Sequence, residues 1–179
     1  MSDTNGFENI ENEISLLAKA IKEALIERGE MMATAESLTG GLVASHIVDI
    51  PGSSAILAGG IVAYQNEIKE ALLGVPHQVL EVKGAVSAET VKAMAEGARK
   101  KFGCEWAIAT SGIAGPTGAE PGKPVGTVWM AVANSLQNEA FCKIFEGNRT
   151  EVRQKSVYSV LSKLLFLLNN QKSTCTSEH

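Results

Sequence analysis

The sequence predicts an α/β protein: a three-layer α/β/α sandwich around a mixed, mostly parallel sheet that closes with a C-terminal hairpin. Three observations predict it. Stretches with an apolar residue every three or four positions alternate with short apolar runs of strand length, the order that builds a sheet covered by helices. The last two apolar runs follow one another with no helical stretch between them, so the sheet cannot be wholly parallel. The 179 residues, 45% hydrophobic and 20% charged, suit one domain with a sizeable core. No repeat or linker divides them. A single domain is expected over 8–168, with polar tails at 1–7 and 169–179.

Ile10, Ile14, Leu17, Ile21 and Leu25 place one apolar stripe on a long first helix, which Gly29 ends. A strand is expected over 31–35 and a second helix over 39–48. Residues 49–54, with Pro51-Gly52, form a loop. The run 56–64 contains Gly59-Gly60 and reads as a buried strand with a bulge or a close backbone approach. Asn66 is expected to cap a short helix over 67–73, with Gly74 as its stop. Ser87 caps a longer helix on which Val91, Met94, Ala95 and Ala98 share a face. A short buried strand covers 106–110, and the Gly- and Pro-rich stretch 111–124 is too irregular for an element. Strands over 125–133 and 140–146 form a hairpin through 134–139. Asn148 with Glu151 three residues on resembles a capping box. The last helix carries Val157, Val160, Leu161, Leu164 and Leu168.

The net charge of -4 argues against a general nucleic-acid surface, though not against a small anionic ligand. Cys104, Cys142 and Cys175 are odd in number and widely spaced, which does not suggest a disulfide framework. Cys104 and Cys142 read as small core residues. With His46, His77 and His179 they form no ligand pattern, so no zinc or other metal is expected. The polar, acidic residues 1–12 are not a signal peptide, and no apolar run is long enough to span a bilayer. A cytoplasmic chain is expected.

Ser37 lies in Ala35-Glu36-Ser37-Leu38-Thr39-Gly40-Gly41, between an apolar run and a helical pattern. A hydroxyl in such a strand–turn–helix junction meets free backbone N–H groups and the positive end of a helix dipole. It reads either as a nucleophile whose attack generates an oxyanion or, like Thr39, as a helix cap. Tyr64-Gln65-Asn66-Glu67-Ile68-Lys69 bridges a strand end and a helix start. Lys69 is either a solvated charge or a general base, and the second role requires burial or a nearby cation to lower its pKa. Tyr64 either packs at the strand end or relays a proton. Thr110 to Gly118 holds three glycines and several hydroxyls, which either cradle a phosphate or carbonyl oxygen or form an ordinary loop. It is neither a Walker loop nor a dinucleotide fingerprint. Arg149 and Lys123 each read as a phosphate contact or as a solvated charge.

Taken in order, these segments resemble the CinA C-terminal-domain family, whose enzymatic members are nicotinamide mononucleotide deamidases. The matching stretches are Ala35 to Gly41, Pro51-Gly52-Ser53-Ser54, Tyr64-Gln65-Asn66 with Lys69, Leu73-Gly74-Val75, Gly84-Ala85-Val86-Ser87, Ser111-Gly112-Ile113-Ala114-Gly115-Pro116 and Lys123 to Val128. The resemblance implies hydrolysis of the carboxamide of nicotinamide mononucleotide to nicotinate mononucleotide and ammonia, with neither metal nor cofactor. It implies Ser37 as nucleophile, Lys69 as general base and Tyr64 as proton relay or orienting group. Substrate binding falls to Thr39, Gly40, Gly41, Ser111 and Gly112, with Arg149 on the phosphate. Longer members carry an N-terminal domain resembling a molybdopterin-binding fold, which a chain of this length is expected to lack. The partners implied are a small-molecule nucleotide and a second copy of the chain, most simply in a twofold dimer. The first helix has Ile14, Leu16, Leu17, Ile21 and Leu25, and the last has Leu161, Leu164, Leu165, Leu167 and Leu168. Each set is wider than one core-facing stripe, which suits either such a partner or burial on two sides within one monomer. A second class of function also fits the residues: a nucleotide-binding or regulatory module of the same fold without catalysis.

Overall fold

The computed structural model of the protein describes residues 4–171; residues 1–3 and 172–179, with Cys175, His179 and most of the expected polar tails, lie outside them. Helix α1 (Thr4–Arg28) leads into strand β1 (Met32–Glu36), α2 (Leu42–Val48), a 3₁₀ turn (Ser53–Ala55) and β2 (Leu57–Val62). Then come α3 (Asn66–Leu73), α4 (His77–Lys83), α5 (Ala88–Phe102), β3 (Trp106–Gly112), β4 (Thr127–Ala133), β5 (Asn138–Ile144) and α6 (Arg149–Asn170). The strands form one sheet in the order β2-β1-β3-β4-β5. β1 pairs in parallel with β2 and β3, and β4 runs antiparallel to both β3 and β5. Four of the five strands therefore point the same way and only β4 is reversed. This is the expected mixed, mostly parallel sheet with its closing hairpin.

Side-chain alternation along the strands builds two cores, because successive residues face opposite sides of a sheet. Met32, Trp106, Ile108, Val128, Met130 and Val132 face one side, where they meet Ile14, Ile21 and Leu25 of α1, Val43 and Ile47 of α2, and Leu161 and Leu164 of α6. The other side presents Ala33, Ala35, Ala107, Ala109, Ala131 and Ala133. A wall of methyl groups lets α5 lie close, and Val91, Met94, Ala95 and Ala98 pack there with Leu73 and Leu80. The wide apolar sets on the first and last helices are mostly spent inside the chain: α1 and α6 bury them against each other and the sheet, leaving Leu16 exposed.

Helix ends follow their sequence signals in most places. Gly29, Gly74 and Gly103 adopt positive φ just past α1, α3 and α5. Ser87 accepts from the Thr90 N–H, and Asn148 and Glu151 form a capping box at α6. Five expectations need correction. The run 56–64, expected as a buried strand, holds the edge strand β2, none of whose residues is buried. The residue capping α3 is Gln65, whose side chain makes no cap bond, and Asn66 is already helical. Helix α4, not foreseen, occupies 77–83. Residues 4–7, expected in a polar tail, begin α1, and α6 runs on through Asn170. Cys142 is exposed, because β5 is an edge strand, while Cys104 is buried as expected.

The close fit of α5 gives a test. Gly97 sits in the middle of α5, where alanine normally adds up to about 1 kcal/mol of helix propensity. Here a Cβ would lie 1.9 Å from the Leu73 carbonyl oxygen, which is backbone and cannot swing aside. Gly97→Ala should therefore lower stability, by about 1–3 kcal/mol, as overpacking does. Urea unfolding measures it, and a raised midpoint would show that α3 and α5 separate freely.

Candidate active site

β1, β2 and β3 run in parallel, and Glu36, the last residue of β1, pairs with Val62 and with Thr110. The residues that follow, Ser37, Ala63-Tyr64 and Ser111, thus emerge together at the C-terminal edge of the sheet. Open α/β sheets bind ligands beyond that edge. A cavity of about 220 Å³ opens there, lined by Ser37, Leu38, Tyr64, Lys69, Ala85, Val86, Ser111, Gly112, Ala114 and Arg149. The chain has larger clefts, one between α1 and α6 beside Leu16 and one beside Arg28 and Trp106, but neither joins a serine to a buried lysine.

Ser37 is 8% exposed. Its N–H donates to the Thr110 carbonyl at 2.9 Å and its carbonyl accepts from Gly40 N–H at 3.1 Å, so its backbone is tied at both ends. Its Oγ makes no hydrogen bond among the described residues and faces the cavity free.

Lys69 is only 1% exposed, so it is not a solvated charge. Its amine donates to the carbonyls of Ala63 and Tyr64, both at 2.9 Å. Burial pushes its pKa down, and the charge of Glu67 opposes this more weakly. Two N–H donors are all that a neutral amine has. Once deprotonated, with both on these carbonyls, the amine would have its lone pair left to accept a proton.

Ser111 is also buried, and its hydroxyl donates to the Ala85 carbonyl at 2.7 Å. Its single proton is thereby used, and the oxygen can only accept from a ligand. Gly112 leaves no room for a side chain, since a Cβ would fall 2.6 Å from the Thr127 carbonyl oxygen. At the mouth Arg149 donates to the Gly115 carbonyl at 3.1 Å and to the Tyr64 hydroxyl at 3.2 Å. Tyr64 is 59% exposed, and its phenol is engaged with Arg149 rather than with Ser37 or Lys69. A relay through that phenol is not the arrangement present.

Thr39, Gly40 and Gly41 do not line the cavity. The fully buried Thr39 hydroxyl bonds that of Thr110 at 2.7 Å. Gly40 and Gly41 both take positive φ, which the tight turn into α2 requires. The Gly41 N–H is taken by Glu36 at 2.9 Å. Of the turn's N–H groups only those of Leu38 and Thr39 have no partner among the described residues. Lys123 is also set apart from the cavity lining, tied to the Lys83 carbonyl and Glu120.

Two residues that shape this turn were missed. Glu36 is buried, and its carboxylate accepts from the N–H groups of Gly41, Val43 and Ala44, closing the start of α2. An acidic residue ending an apolar strand run was the available signal. Arg153 reaches from α6 to the Leu38 carbonyl at 3.0 Å and the Thr39 carbonyl at 2.8 Å. It stands four residues after Arg149 and shares its helix face, which was the signal there. Among the described residues no three His, Cys, Asp or Glu side chains gather as a metal site would require, and no helix is long and apolar enough to cross a membrane.

Comparison with known proteins agrees with this architecture. The family model described as the CinA C-terminal domain matches residues 14–168. A CinA-like protein of Anaeromyxobacter sp. (strain K) is 45% identical over 152 residues, covering 85% of this chain and 37% of the relative. One of Geotalea uraniireducens (strain Rf4) is 54% identical over 127 residues, covering 71% of this chain and 30% of the relative. The chain thus spans about a third of the length of these curated relatives. Among solved structures, the competence damage-inducible protein A (ComA) of Klebsiella pneumoniae superposes with a TM-score of 0.86 at 36% identity, covering 89% of this chain and 99% of that one. The competence/damage inducible protein CihA of Agrobacterium tumefaciens gives a TM-score of 0.84 at 38% identity, covering 88% and 96%. With its sheet order, its strand-edge cavity and a match over nearly all of its described length, this chain belongs to the CinA C-terminal domain family.

Proposed function

We propose that this chain hydrolyses the carboxamide of nicotinamide mononucleotide, releasing ammonia and leaving nicotinate mononucleotide. The observation that carries the reading is the buried Lys69 amine, held by two carbonyls and with its pKa lowered by burial, in the same cavity as Ser37. In this reading Lys69 takes the proton of Ser37 as the oxygen attacks the carboxamide carbon. The tetrahedral oxyanion lies against the free N–H group of Leu38, which lines the cavity. The Lys69 ammonium then returns the proton to the departing nitrogen. Ammonia leaves, and water activated by Lys69 hydrolyses the ester on Ser37. The cavity size supports this division: 220 Å³ suits the flat ring and its amide between Leu38, Val86 and Ala114, while the ribose phosphate stays at the mouth beside Arg149. Tyr64 orients that guanidinium. The test is ammonia release from purified protein and nicotinamide mononucleotide; ligand binding with no turnover would favour a binding module instead.

Ser37→Ala should abolish turnover while substrate binding stays within a few-fold, because the hydroxyl acts in the chemical step and adds little ground-state affinity. Mass spectrometry should trap an acyl group on Ser37 in the native chain. Near-native turnover in the alanine variant would remove the covalent route.

Lys69 fixes a pH dependence with a definite sign. Its folded pKa lies below the ordinary lysine value, so above that folded pKa the native state holds fewer protons than the unfolded one. Stability from this group is therefore least when the amine is charged and rises with pH through the folded pKa. The rate should rise through the same window as the lone pair becomes free. Lys69→Met should remove the stability trend, and Lys69→Arg, which cannot deprotonate, should be nearly inactive. An active Lys69→Arg would make the residue an electrostatic anchor.

Arg149→Ala should raise KM for the mononucleotide by about tenfold or more, the loss of a charge-assisted phosphate contact, with little change in kcat. Nicotinamide riboside lacks the phosphate and should be indifferent to the change. Equal weakening of both substrates would place the phosphate contact elsewhere.

A further inference from the structure

The turn that carries Ser37 is held from two opposite sides by charged groups. Glu36 grips N–H groups at its α2 end, those of Gly41, Val43 and Ala44. Arg153 grips carbonyls at its other face, those of Leu38 and Thr39. In a trans peptide the C=O and the next N–H point in opposite directions. With the Leu38 oxygen fixed on Arg153, the Thr39 N–H is aimed away from α6. With the Thr39 oxygen fixed there too, the Gly40 N–H turns inward and closes on the Ser37 carbonyl at 3.1 Å. The bond that ties Ser37 back onto its own turn thus follows from where Arg153 holds the next two peptides. Gly40 allows the approach: it takes φ 60°, and even a Cβ there would sit 3.7 Å from the Arg153 guanidinium.

Arg153 and Arg149 are one helical turn apart on α6, whose start is fixed by the Asn148–Glu151 capping box. Arg149 meets the cavity mouth and Arg153 meets the backbone of the nucleophile turn. We infer that Arg153 is a positioning residue, whose two-point grip on the Leu38 and Thr39 carbonyls sets the Ser37 hydroxyl and the Leu38 N–H group in reacting register with a ligand held by Arg149. This rests on the proposed covalent role of Ser37 and extends it to a residue that never touches the substrate. A lysine supplies the charge but not the planar fork, so it cannot hold two peptides at fixed angles.

Three measurements test the grip. With nicotinamide mononucleotide, Arg153→Lys and Arg153→Gln should lose kcat on the order of 10²-fold, the scale of a small misplacement, while KM moves less than about threefold. That split is the reverse of the one for Arg149→Ala. Added guanidinium should restore part of kcat in Arg153→Ala and none in Arg149→Ala. The second measurement is the rate of Ser37 labelling by a small fluorophosphonate, which carries neither ring nor phosphate and so does not depend on the proposed substrate. Labelling should slow in parallel with kcat. A native chain that labels but releases no ammonia would remove the substrate, and slowed labelling in the variants would still support the grip. Amide hydrogen exchange needs no chemistry at all: the Gly40 amide, bonded to the Ser37 carbonyl, should exchange at least about tenfold faster in Arg153→Lys, as a locally released segment does. Native exchange and native labelling in that variant overturn the inference.

Discussion

Everything at the candidate site depends on the register of three parallel strands. Glu36 stands opposite both Val62 and Thr110, so β1 and β2 end level with one another while β3 runs two residues further, through Gly112. A slip of one residue in either pairing would turn the following side chains to the other face of the sheet. The hydrogen bonds just beyond the strands extend this register: Ser37 N–H to the Thr110 carbonyl, and Ala63 N–H to the Glu36 carbonyl. They bring the serine, the carbonyls that hold Lys69, and Ser111 to one cavity from positions up to 74 residues apart in the chain. The two unlike cores behind the sheet hold that register, with bulky side chains under α1, α2 and α6 and methyl groups under α5.

The site works against stability at several points and is compensated locally. A buried amine is costly when charged, and its two carbonyl partners at 2.9 Å offset part of that cost. A buried carboxylate at Glu36 is costly unless fully hydrogen-bonded, and the three N–H groups that open α2 meet that need. What remains unmet is confined to the Ser37 hydroxyl and the N–H groups of Leu38 and Thr39. Of these, Ser37 and Leu38 line the cavity, where a ligand's atoms could meet them.

Much of this was legible in the sequence because it is local. The helix faces of α1, α5 and α6, the Ser87 cap, the Asn148–Glu151 box and the closing hairpin each follow from spacing within a dozen residues. The strand-end positions of Ser37, Tyr64 and Ser111 were legible for the same reason. What was not legible depends on contacts between distant segments. The Tyr64 phenol turns to Arg149, 85 positions away, rather than toward the lysine five residues on. Gly40 and Gly41 shape the turn instead of lining the cavity, because Glu36 and Arg153 take up its polar groups first. Cys142 is exposed because β5 lies at the edge, and strand order is not written in any one strand. Helix α4 is short and has no side-chain cap, so it left no periodic mark.

The hydroxyl of Ser111 gives the cavity a preference between the two sides of the proposed reaction. Its proton is committed to the Ala85 carbonyl, so it offers only lone pairs inward. A carboxamide nitrogen has hydrogens to donate to such an oxygen. A carboxylate has none and meets it lone pair against lone pair. Burial lowers the Lys69 pKa and so weakens its hold on positive charge in the interior, and the Arg149 guanidinium stands at the mouth. In the proposed reaction, conversion of amide to acid would exchange an occupant that can donate to Ser111 for one that cannot, so the hydroxyl that admits the reactant would hasten departure of the product.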